Sequence, residues 1–231
     1  MLRRLSLAGL PGGRGRAAAP LVWLALASYL SRRGASRDVW PSNGTLALRC
    51  GLSPRSVERA LALLSRGGKI SIRYGSRRGS RRGRIIKLNI GGDGPNPLVR
   101  FPSQERIAWL WAQASQARER ACTLVALAVA VEVWAALECG RSTGRLSAHA
   151  PVQALRDLVG AAHGSTFTKR LAALERVGVL SRMGRRWGDG LSLLVLAHAP
   201  QPAALPELPA APMRVVRVVN LASLSAAMAA W

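Results

Sequence analysis

The stretch "VWPSNGTLALRCGLSPRSVERALALLSRGGKISI", residues 39–72, decides how the chain is to be read. After Pro41, the short polar side chains of Ser42 and Asn43 suit the start of a helix, and Leu46 and Cys50 then share one face of it. Gly51 ends that helix. Ser53 followed by Pro54 opens a second one, an N-cap with proline at the first helical position. Within it Val57, Ala60, Leu61 and Leu64 recur at i, i+3, i+4 and i+7, which demands a core beneath them. At about 100° per residue, Arg55, Arg59, Ala62 and Arg66 fall on the opposite, small and basic side. Gly67 and Gly68 end the helix, and "KISIRY" alternates as a strand.

Downstream, "RYGSRRGSRRGRIIKL" (residues 73–88) crowds Arg77, Arg78, Arg81, Arg82 and Arg84 between glycines and serines, and "RIIKLNI" is a further strand. Alone, this run would also fit a cationic low-complexity tail. Its place between two short apolar strands, directly after a helix with an outward arginine stripe, favours a hairpin loop. Upstream, "PLVWLALASYL" from Pro20 reads as a buried helix followed by a polar loop. The order helix, helix, turn, helix, strand, arginine loop, strand is that of a winged helix-turn-helix.

The second half repeats the first at a shift of about 110 positions, which lays "RALALLSRGGKI" over "KRLAALERVGVL" and Gly68 over Gly178. Phe167, Leu171 and Leu174 take the core face; Ser165, Lys169, Ala172 and Arg176 take the outward one. The fold class expected is mainly α with small β-wings (α+β), as two tandem winged-helix domains. Residues 1–19 read as a mobile basic arm, 20–90 as the first domain, 91–102 as a Gly/Pro linker and 103–120 as a connecting helix capped by Ser103. Residues 121–198 read as the second domain, 199–212 as a Pro/Ala linker and 213–231 as a strand and helix tail.

Composition narrows the partner. Thirty-four basic residues stand against eleven acidic ones, a net charge of +23, and only Lys69, Lys87 and Lys169 of the bases are lysines. Such an excess repels itself, and a polyanion relieves it. Arginine suits phosphate and guanine through its planar fork. A GC-rich genome would inflate arginine too, but it does not account for the scarcity of acids. A 49% hydrophobic content excludes a mostly disordered chain.

Three unclustered cysteines and three scattered histidines argue against a disulfide framework or a metal site. The apolar run Leu124–Leu137 is shorter than the ~20 residues of a membrane span and contains Glu132. The N-terminus has a transit-like look, but its apolar run leads into the first helix of the expected fold. No paired carboxylates, phosphate-binding loop or nucleophile with a base stands out, so no enzyme, cofactor or metal is expected.

The expected partner is double-stranded DNA. Arg55, Ser56 and Arg59 are placed to read bases in the major groove. Ser42, Asn43, Arg66, Lys69, Arg73, Arg77, Arg78, Arg81, Arg82, Arg84 and Lys87 are placed for phosphates or the minor groove. In the second half Ser165, Thr166, Lys169, Arg176, Arg185 and Arg186 form a weaker counterpart. A homodimer, or the replication or transcription machinery, is a further candidate partner; no membrane is. The expected location is the cytoplasm, on the nucleoid.

The segment 39–70 resembles the helix-turn-helix of plasmid and phage replication initiators, on Trp40, Pro41, Ser42, Leu46, Gly51, Leu52, Ser53, Arg55, Val57, Arg59 and Leu64. The resemblance implies origin binding by tandem winged helices. Transcription regulators use similar segments. Two other readings remain open at this point: a structural RNA-binding subunit of a ribonucleoprotein, suggested by the charge, and a second domain that binds protein rather than DNA.

Overall fold

The computed structural model describes residues 5–30, 36–76, 82–91, 96–97, 99–139, 146–160, 164–182 and 190–195. The expected Pro/Ala linker at 199–212 and tail at 213–231 lie outside them. The first half runs α1 (Ala19–Ala27), β1 (Asp38–Val39), α2 (Asn43–Cys50), α3 (Pro54–Arg66), β2 (Ile70–Ser76) and β3 (Arg82–Leu88). Its antiparallel sheet has the order β1-β3-β2. After α4 (Gln104–Ser115) the second half runs α5 (Ala121–Cys139), β4 (Leu146–Pro151), α6 (Val152–Leu158), α7 (Gly164–Arg176), β5 (Leu180–Arg182) and β6 (Gly190–Val195). Its sheet order, β4-β6-β5, is the same topology over again.

The repeat is visible in backbone detail. Gly68 and Gly178 end α3 and α7 with φ of 66° and 71°, and the amides of Lys69 and Val179 each reach back 2.9 Å to the carbonyls of Leu64 and Leu174. Glycine takes this left-handed turn without the Cβ clash other residues suffer, and the returning bonds satisfy carbonyls that a helix end would orphan.

The two-residue strand β1 and the six-residue strand β4 were not expected. Two residues at Asp38 and Val39 carry no alternation to read; they become a strand only by pairing with Lys87 and Ile86 across the sheet. In the expected linker, Asn96 and Val99 are buried and the Asn96 amide donates to the Ser36 carbonyl at 3.0 Å. This part of the connection packs instead of spacing two domains.

Two further corrections concern the layout. The N-terminal segment, read as a mobile arm, is packed from Leu5 onward: Leu5, Leu7 and Leu10 are buried. The Trp23 indole donates to the Leu5 carbonyl at 2.9 Å, and the Leu7 amide donates to the Asp157 carbonyl at 2.7 Å. The leucines lie among glycines and arginines without regular spacing, so they gave no periodic signal. Nor do the halves keep separate cores. Helix α5, apolar around its circumference and buried from Leu124 to Val131, packs against α1 and α4 of one side and α6 and α7 of the other. The described residues up to Val195 fall in one compact unit with one continuous core. Where α4 meets α5, Arg106 and Glu132 pair with both side chains 12% exposed, and burial pushes the Glu132 carboxyl above its ordinary range against the pull of Arg106. No helix among the described residues is long and apolar enough to cross a membrane.

Candidate nucleic-acid interface

Helix α2, the turn and α3 are built as their residues require. The Ser42 hydroxyl caps α2, accepting from the Thr45 amide at 3.0 Å, and Asn43 is the first helical residue. Gly51 then turns left-handed with φ 64°, and the Leu52 amide bonds back to the Ala47 carbonyl. Gly51 has a second reason to be glycine: a Cβ there would lie 2.6 Å from the Trp111 indole nitrogen. That indole donates to the Cys50 carbonyl at 2.9 Å, so α4 clamps the turn. Burial pushes the Cys50 thiol up to about 12, in keeping with a packing role.

The Ser53 hydroxyl caps α3 by accepting from the Ser56 amide and also meets the Ser56 hydroxyl at 2.9 Å. Ser56, placed by sequence among the base readers, is therefore also engaged in the cap. Val57, Ala60, Leu61 and Leu64 are buried as expected; Leu63 is buried as well. The arm is one of the groups beside Leu63. Leu10 lies against Gly67, Gly13 lies near the Leu63 side chain, and a Cβ at Gly15 would come within 2.6 Å of the Arg59 carbonyl. The arm thus runs along one flank of α3 and half-buries Arg59. After Pro54, the exposed residues of α3 are Arg55, Glu58, Ala62, Ser65 and Arg66, with the Arg66 guanidinium beside Gly13 of the arm, and they include an acid the expected stripe did not.

The hairpin follows the expected strands, in register from Ile70 opposite Leu88 to Ser76 opposite Arg82. Arg77, Arg78 and Arg81 lie outside the described residues, as does the side chain of Arg82. Arg84, expected at phosphate, turns into the protein. It is half-buried and donates to the Asn43 side-chain oxygen at 2.6 Å and to the Pro41 carbonyl at 3.0 Å. Asn43 in turn donates to Glu58 at 3.1 Å. Arg84 and Asn43 thus tie β3 to the start of α2 and to α3, and burial lowers the Arg84 pKa. Arg73 is 62% exposed but pairs with Asp38. Lys87 is exposed and Lys69 half-exposed.

Sequence reasoning passed over Tyr74. Alternation places it on the face of β2 shared by Ile70 and Ile72, yet it is 76% exposed because it lies beyond the core those two residues meet. A ring at the exposed end of a hairpin can stack on bases or sugars. Its signal was the strand alternation carried two residues past the buried part.

In the second half Ser165, Thr166, Lys169 and Arg176 are exposed on α7, which opens at Gly164, 110 positions after Pro54. Arg185 and Arg186 lie outside the described residues.

Residues 17–68 match the family model of a helix-turn-helix domain. The match runs from the start of α1 to the glycine that closes α3, and it makes α2, the Gly51 turn and α3 the helix-turn-helix of this chain. No curated protein and no solved structure gives a match. A helix-turn-helix points to DNA as partner, and the match reaches no further than that, leaving replication initiator and transcription regulator on an equal footing. Within the helix-turn-helix, α3 exposes Arg55, Glu58, Ala62, Ser65 and Arg66. The Arg84–Asn43–Glu58 chain links the hairpin to α2 and α3.

Proposed function

We propose that this protein is a binding protein rather than an enzyme, and that it reads double-stranded DNA site-specifically through a winged helix formed by α1 to β3. Helix α3 enters the major groove, and the β2–β3 hairpin lies along the adjacent backbone. The observation that carries this reading is the open face of α3, where Arg55 and Arg66 flank Ala62 beside a hairpin whose loop sequence is rich in arginine. Arg55, exposed at the N-terminal end of α3, is the strongest candidate for a bidentate contact with guanine. Arg59, partly covered by the arm, and Arg66 at the far end take backbone phosphates. The second half, of the same topology, adds contacts through Lys169 and Arg176.

Selection from random duplexes tests the reading. A defined site should emerge, and Arg55→Ala should cost about 1–3 kcal/mol on it while relaxing preference at one or two positions. Replacing Arg77, Arg78, Arg81 and Arg82 with alanine should instead weaken binding to all sequences and flatten the salt slope. Enrichment of structured RNA over duplex DNA would overturn the proposal in favour of a ribonucleoprotein subunit. The form of the site also bears on process: direct repeats are expected of an origin binder, inverted half-sites of a dimeric transcription regulator.

A further inference from the structure

We propose that the cleft between the N-terminal arm, the residues before α5 and the start of α7 is a binding site for a phosphate group. The cleft has a volume of about 400 Å³, and three arginines from distant parts of the chain line it: Arg16 of the arm, Arg120 before α5 and Arg170 of α7. Glu119 and Thr166 share the wall, so among the described lining residues three guanidinium groups face one acid. The Nε of Arg170 is buried without a hydrogen-bond partner among the described residues. A buried donor with no acceptor costs free energy, and like charges brought together cost more.

Both costs are removed by one ligand type. A phosphate brings up to two negative charges and several acceptor oxygens, and it matches the guanidinium fork. Burial lowers the Arg170 pKa; Glu119 opposes this, while Arg16 and Arg120 push it the same way, as expected of cations held close without their anion. The arm is held in place for this role: Arg16 donates to the Gly160 carbonyl at 3.2 Å, at the turn that leads from α6 towards α7.

The repeat sharpens the contrast. In the first half the turn at Gly51 is closed by the Trp111 indole. Around the equivalent turn at Gly160, Leu7 and Arg16 are the neighbours among the described residues, and the arginine-lined cleft adjoins it. The volume admits a phosphate with part of the ester that carries it. That ester can be a nucleic-acid backbone lying along α7 or a small free phosphate compound; the recognition chemistry is shared. The site itself rests on the cleft; only its nucleic-acid arm rests on the DNA reading, and the phosphate titration is free of it.

The test uses the full chain, with Arg120→Gln and Arg170→Gln compared in two measurements. In the first, inorganic phosphate is titrated at constant ionic strength and the melting temperature is read. In the second, affinity for a 20-base-pair duplex is read against salt. A phosphate-dependent rise in melting temperature that both variants lose supports the site with a free phosphate compound as ligand. No phosphate effect, but a several-fold loss of duplex affinity in both variants with a salt slope shallower by about one, supports it with the nucleic-acid backbone as ligand. Wild-type behaviour of the variants in both measurements overturns the proposal. Should Arg170→Gln fail to fold, Arg120→Gln, altered at an exposed side chain, carries the test.

Discussion

At Gly51 and Gly68 the same backbone conformation is used under two different loads. Both residues have φ near 65°, at 64° and 66°, but a Cβ at Gly68 would meet nothing within 4 Å, whereas one at Gly51 would strike Trp111. Gly68→Ala is therefore expected to cost only the left-handed conformation, about 1 kcal/mol. Gly51→Ala should cost about 2–4 kcal/mol, because the indole must also move and its bond to the Cys50 carbonyl is disturbed. Chemical denaturation of the two variants checks the difference; equal losses would show that the Trp111 contact does not matter. Both glycines were legible as helix stops. The second demand on Gly51 was not, since Trp111 is 60 positions away and reaches it only in the folded chain. The same holds for Arg84: its sequence neighbours mark it as one of a cationic run, but its position on β3 aims it at Asn43 and Pro41.

At the scale of elements, the arm and the α4–α5 pair behave as parts of the core. Leu7 is fully buried, so Leu7→Ala should lower stability by about 2–4 kcal/mol, measured by denaturant melting. A value near zero would restore a loose arm. The core stripe of α3 was readable because its period is a local property of the helix. Leu63 fell outside that stripe, and the arm, at Gly13, is one of the groups beside it.

The pair Arg106–Glu132 makes a signed prediction about pH. The folded pKa of Glu132 is raised, because burial outweighs the attraction of Arg106. The folded state therefore holds a proton that the unfolded state has released, and the contribution of this group, full below the ordinary carboxylate range, is lost as pH rises through the folded pKa. Removing the guanidinium in Arg106→Ala raises that pKa further. The variant should lose about 3 kcal/mol at pH values above the raised folded pKa and distinctly less on acidification through it, where the carboxyl takes up a proton. A loss independent of pH would mean that the damage comes from packing alone.

Over the whole molecule, two copies of one topology share a core through α5. Calorimetry of the full chain should accordingly show one cooperative transition for this unit, with calorimetric and van't Hoff enthalpies that agree. Two well-separated transitions would restore independent halves. A shared core also fixes the angle between α3 and α7, so any duplex touching both must suit one geometry; a hinged pair would adapt to many spacings.

The order of the helices and of the hairpin strands β2 and β3, the caps at Ser42, Ser53 and Ser103, the glycine stops and the inward stripe of α3 were determined by the sequence itself, and the structure carries each of them. These features depend on neighbours within about one helical turn, so a linear reading reaches them. Only the tertiary structure decided that the arm is packed, that β1 and β4 are strands, that Arg84 faces inward, and that Arg16, Arg120 and Arg170 line one cleft. Each of these depends on contacts between residues far apart in the chain, and no periodicity records such contacts.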